Sequence, residues 1–121
     1  MARATLTKTT ALGHRSDVYT AGAAALTMTA ADASNKNQFA ASAKDLVIAH
    51  NTGASPYTVT ITSTPDGLGR SGDIATYSVP AGVYAVFGPF GLDGWVQTDG
   101  KVYLEASNAA VKFGAVDLSN F

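Results

Sequence analysis

Cysteine is absent from this chain. Disulfides and Cys-ligated zinc or iron–sulfur centres are therefore excluded, and added stability must come from packing or from contacts with other chains. Charge is also scarce, since Asp, Glu, Lys and Arg make up 14% of the residues, against ~25% in a typical soluble domain. Thr, Ser, Asn, Gly and Ala are expected to cover the surface instead, and such a surface does little to resist association. The basic residues Arg3, Lys8, Arg15, Lys36, Lys44, Arg70, Lys101 and Lys112 form no run, and the acids slightly outnumber them. A groove that tracks phosphates needs clustered positive charge, so no nucleic-acid partner is expected. No stretch approaches the ~20 apolar residues of a membrane span, and no membrane partner is expected. Met1–Thr10 is mostly Thr and Ala, interrupted by Arg3 and Lys8, so it lacks the basic start and apolar core of a signal peptide.

What remains is enough for one domain. The 121 residues match the ~100–150 residues of a common domain and can bury a core without staples. Residues 1–22 show little periodicity and few large apolar side chains: Leu6, Leu12, Val18 and Tyr19. Such a strip cannot offset its own ordering entropy by burial. It is expected to be an extended arm that lies along a neighbour, or else a frayed terminus.

Residues 23–121 carry a β pattern. Ala24–Ala31 alternates around Leu26 and Met28, and Asp32–Gln38 reads as a polar loop before Phe39. Leu46-Val47-Ile48-Ala49 is continuously apolar and predicts a strand buried on both faces, in the centre of a sheet. Tyr57–Ser63 alternates strictly, with Val59 and Ile61 on one face and Thr58, Thr60 and Thr62 on the other. Ile74–Val79 and Val83–Phe87 follow, separated by Pro80-Ala81-Gly82. Asp99-Gly100 predicts a tight hairpin between Trp95–Thr98 and Lys101–Ser107, and Val111–Leu118 is the last strand. About eight short strands with regular turns predict an all-β fold, an antiparallel β-sandwich or jelly roll, led by an N-terminal arm.

Chemistry-bearing residues are few. The chain has two histidines, His14 and His50, and one glutamate, Glu105. No GxSxG elbow accompanies its serines, and no catalytic residue, cofactor site or metal site is predicted. Asp66, Asp93 and Asp99 each precede glycine, which is turn chemistry. The stretch Asp66–Asp73 offers at most two calcium ligands and no EF-hand pattern. Gly67–Gly72 lacks both the Walker GK[ST] and a following helix, so it predicts an interface loop with Arg70 as its strong polar contact. Trp95, with Tyr103 near it, raises the alternative of an aromatic platform for a carbohydrate.

Five segments carry a resemblance: LVIAHNTG (Leu46–Gly53), YTVTITST (Tyr57–Thr64), GRSGDIATYSVPAG (Gly69–Gly82), FGPF (Phe87–Phe90) and DGWVQTDGKVYLEAS (Asp93–Ser107). In them the chain resembles small virion proteins of tailed bacteriophages, of the capsid decoration or cement type. The resemblance implies a β-rich, non-enzymatic protein on the capsid exterior, made in the host cytoplasm. It implies as partners the major capsid protein and further copies of the chain, in a homo-oligomer such as a trimer. It carries no catalytic residue over to this sequence. The alternatives are a head–tail connector, a tail or fibre component, or a carbohydrate-binding module.

The contact regions expected for such a protein are the leading strip with Leu6, Leu12, Val18 and Tyr19, the Thr64–Gly72 loop with Leu68 and Arg70, and the Phe87–Trp95 segment. The last owes its place to Phe87, Phe90, Leu92 and Trp95, which look exposed among glycines. Loss of residues 1–22 is expected to abolish attachment and leave the β fold intact.

Overall fold

The computed structural model describes residues 3–11, 25–65, 67–70 and 72–118. Among these residues there is no helix, and ten strands form two sheets. The strands are β1 (Ala4–Thr5), β2 (Lys8–Thr10), β3 (Thr29–Ala30), β4 (Asn37–Ala40) and β5 (Asp45–Asn51). They continue as β6 (Tyr57–Thr62), β7 (Ile74–Val79), β8 (Tyr84–Phe90), β9 (Lys101–Ala106) and β10 (Val111–Asp117). One sheet has the order β1-β4-β9-β6-β7. The other has the order β2-β10-β5-β8, with β3 also paired to β10. The all-β sandwich expected from the sequence is therefore the fold.

Period-two alternation builds the core. Val59 and Ile61 of β6, Val102 and Leu104 of β9, Val47 and Ala49 of β5, and Val111, Phe113 and Ala115 of β10 have no solvent exposure. They form one apolar cluster with Phe39, Phe87 and Phe90, so the inner faces of both sheets share a single core. Side chains of opposite parity on each strand point outward, as the pleat requires.

The leading strip departs from expectation. Residues 4–10 are not an arm: β1 pairs parallel to β4, and β2 pairs parallel to β10. The chain crosses from one sheet to the other between them, and Leu6 plugs the core at the crossing with 4% exposure. Burial of this one large side chain, together with ladder bonds such as Leu6 N–H to the Gln38 carbonyl (2.8 Å), offsets the ordering cost. The sheets are consequently mixed, not purely antiparallel. The rest of the predicted arm, with Leu12, Val18 and Tyr19, lies outside the described residues.

Three smaller differences follow from local packing. Asn37 and Gln38 belong to β4 and not to a loop, because the buried Asn37 Oδ1 accepts from Asp32 N–H (2.9 Å) and closes the preceding turn. Trp95–Thr98 is turn and coil; the Asp99-Gly100 turn holds, with Gly100 at positive φ and Gln97 N–H bonded to the Lys101 carbonyl (2.8 Å). In the segment predicted as a strand around Leu26 and Met28, only Thr29–Ala30 pairs, and Leu26 and Met28 lie against Gly114 on the outside of β10.

Candidate functional site

The two outer faces of the sandwich differ in chemistry. On the β4-β9-β6 side, β6 presents Thr58, Thr60 and Thr62, while β9 presents Lys101, Tyr103 and Glu105. Polar groups there satisfy one another. Lys36 Nζ meets Glu105 Oε2 at 2.8 Å, Tyr103 donates to Asp99 Oδ2 at 2.7 Å, and the Arg3 guanidinium lies 4.1 Å above the Tyr103 ring. The bond to Asp99 raises the Tyr103 pKa and lowers that of Asp99.

The opposite face is apolar. Register aligns Tyr84 of β8 with His50 of β5 and Lys112 of β10, then Val86 with Ile48 and Gly114, and Leu46 with Val116. Tyr84 is 62% exposed and Val86 63% exposed, and Val83 is exposed beside them. The Tyr84 ring stacks on His50 at 3.8 Å with the planes 5° apart. Glycine at 114 lets Leu26 and Met28 pack against the sheet, because a Cβ there would fall 2.6 Å from Met28 Sδ. Strands apolar on both faces normally belong to covered sheets.

A second feature lies at one end of the sandwich, where the stretch after β6 meets the stretch after β8. Thr64 N–H bonds to the Gly94 carbonyl (2.7 Å), and Gly67 N–H to Asp93 Oδ2 (3.2 Å). Ser63 donates both its N–H and its hydroxyl to Asp73 Oδ1, each at 2.8 Å, and accepts from Gly72 N–H at 2.8 Å. The bonds from Ser63 lower the Asp73 pKa. Between these stretches opens a cleft of about 200 Å³, lined by Ser63, Thr64, Arg70, Asp93, Gly94 and Trp95. The Trp95 ring stands edge-on to Phe90, centroids 4.8 Å apart.

The residues singled out from the sequence separate into three groups. Leu6, Phe87 and Phe90 are core residues, which corrects their assignment as contacts. The two phenylalanines are three apart and would face opposite ways in a regular strand, but a register shift between Asp45 and Val47 opposite Gly88-Pro89 turns both inward. Gly88, at φ 113°, is required there because a Cβ would lie 2.7 Å from the Asp45 carbonyl oxygen. Leu68 (77% exposed), Arg70 and Leu92 (57% exposed) are on the surface. Trp95 is half-buried, and it and Arg70 line the same cleft.

Sequence reasoning missed Tyr84, Val86 and Ile48 as surface groups. Their signal was present: VYAVF and LVIA are apolar in both phases. That signal reads as burial within the domain, whereas among the described residues β8 is a sheet edge and the outer face of β5 carries no second layer of strands. Among the described residues no group of three or more His, Asp or Glu could hold a metal ion. His50 and Glu105 project from opposite outer faces and do not converge. Comparison with protein-family models, curated proteins and solved structures finds no match to this chain.

Proposed function

We propose that this chain is a non-enzymatic virion structural protein, a bacteriophage capsid decoration protein that binds the outer shell and stabilises it. The observation that carries this reading is the apolar outer face centred on Tyr84, Val86 and Ile48, set against a polar face on the other sheet. An apolar patch of this kind on an outer face marks an interaction surface. The low charge of the chain supports the same reading, as does the sequence resemblance stated above. Many identical sites on a shell let a modest contact energy per copy act collectively. The partner is the major capsid protein, joined by further copies of this chain.

Val86→Asp tests it. Burying a valine contributes ~1.5–3 kcal/mol, and a carboxylate in the contact adds a desolvation cost. The variant should keep the wild-type circular dichroism spectrum and bind expanded capsid shells at least about tenfold more weakly in a sedimentation assay. Unchanged attachment removes this face as the docking surface. Copy number per particle separates decoration from a connector ring, because decoration scales with the number of capsid subunits.

A further inference from the structure

The cleft at the end of the sandwich takes no part in the apolar face, and its chemistry points to a small ligand. We propose that it binds one neutral sugar ring, as a free monosaccharide or as the terminal unit of a short saccharide.

Size comes first. An apolar cavity of ~150 Å³ takes up one benzene ring, so about 200 Å³ accommodates one six-membered ring with its hydroxyls. Charge comes second. Among the described residues the cleft is lined by one cationic side chain, Arg70, and one anionic side chain, Asp93, so neither sign predominates there. Hydrogen-bonding capacity comes third. The Asp93 carboxylate has about four acceptor sites, of which Gly67 N–H uses one, and the Arg70 side chain lines the same cleft. Thr64 adds a hydroxyl that both donates and accepts. Vicinal hydroxyls match such a mixed set, since each is donor and acceptor at once. The indole of Trp95 supplies an apolar wall for the C–H face of the ring, and its contact with Phe90 holds it in place.

The site is also preorganised. Bonds from Thr64 to Gly94 and from Gly67 to Asp93 tie the two walls together before any ligand arrives, which lowers the cost of binding. One sugar ring in an open cleft of this kind should bind with a Kd in the millimolar range.

Trp95 is the chain's only tryptophan, so emission excited at wavelengths that tyrosine does not absorb reports this cleft. The full chain is titrated with glucose, galactose, mannose, N-acetylglucosamine and their β-1,4-linked disaccharides, with inorganic phosphate and glucuronate as charged controls. Amide shifts of Gly67 and Gly94 are followed by NMR as a second readout. The expected result is saturable binding of at least one neutral sugar, weakened tenfold or more in Asp93→Ala and in Arg70→Ala, and unaffected by Val86→Asp. Three results overturn the proposal: silence of both readouts for every neutral sugar, binding confined to phosphate and glucuronate, or equal binding by the two cleft variants.

Discussion

Asp45 sits in the wall of the core with no solvent exposure, as do the polar residues Asn37 and Asn51. Its carboxylate accepts from Ser42 N–H (2.7 Å), from the Ser42 hydroxyl and from Lys8 Nζ (3.2 Å). A buried charge is tolerated only when paired and hydrogen-bonded. Lys8 keeps some solvent and has Asp117 Oδ2 at 3.9 Å, so it is not stranded when Asp45 is lost. Asp45→Ala is therefore expected to cost about 2–3 kcal/mol, at the low end for breaking a buried pair. Asp45→Asn, which still accepts from Ser42, should cost less. Urea denaturation midpoints measure both, and an Asp45→Ala variant as stable as wild type would show that the Lys8 pairing contributes nothing. Asn51 plays the same closing part at the other end of β5, where its Nδ2 donates to the carbonyls of Ser55 and Val79, both at 2.8 Å.

Each edge of the sandwich is protected by a different strand device. On one side β1 and β2 have two and three residues, too short to template another chain. On the other side the edges are β7 and β8. Thr76 at φ 49° and a register shift between Val59 and Ile61 interrupt β7, while Gly88-Pro89 interrupts β8. The T-shaped contact of Tyr77 with Phe87, centroids 5.3 Å apart, closes the gap between the sheets on this side. The leading strip is thus an edge closure in its first part. Removal of residues 1–11 should expose β4 and β10 and open the core where Leu6 sits. The truncated chain is expected to lose several kelvin in Tm and to aggregate in a concentration-dependent way. Leu6→Ala alone should cost ~2–5 kcal/mol by cavity formation. A truncated chain with wild-type Tm and no aggregation would restore the arm reading for these residues.

For the whole molecule, stability should depend on pH through a few surface carboxylates. Hydrogen bonds hold the pKa of Asp73 down from Ser63, that of Asp99 from Tyr103 and that of Asp32 from Asn35. A depressed carboxylate contributes stability above its unfolded pKa, ~4, and that contribution is lost as pH falls through the folded value. Tyr103 runs the other way. Its raised pKa makes its contribution complete below ~10, and the contribution is lost as pH rises through the folded value. Tyr103→Phe should therefore bring the Asp99 pKa up toward its ordinary value in an NMR titration and flatten the alkaline limb of Tm against pH. An unchanged Asp99 titration would show that the bond does not persist in solution.

The sequence by itself determined the all-β class, most strand positions and the scarcity of reactive groups. Strand parity is local: Val59 and Ile61 against Thr58, Thr60 and Thr62 can be read without knowing any partner. Only the tertiary structure decided which apolar side chains are covered. Phe87 and Phe90 share the core because of a register shift between two strands. Leu6 is buried because the strip spans two sheets. Tyr84 and Val86 are exposed because, among the described residues, nothing packs over the outside of β8. Burial on a given face is a property of what lies across from it, and that is set by long-range pairing, which no short window of residues contains.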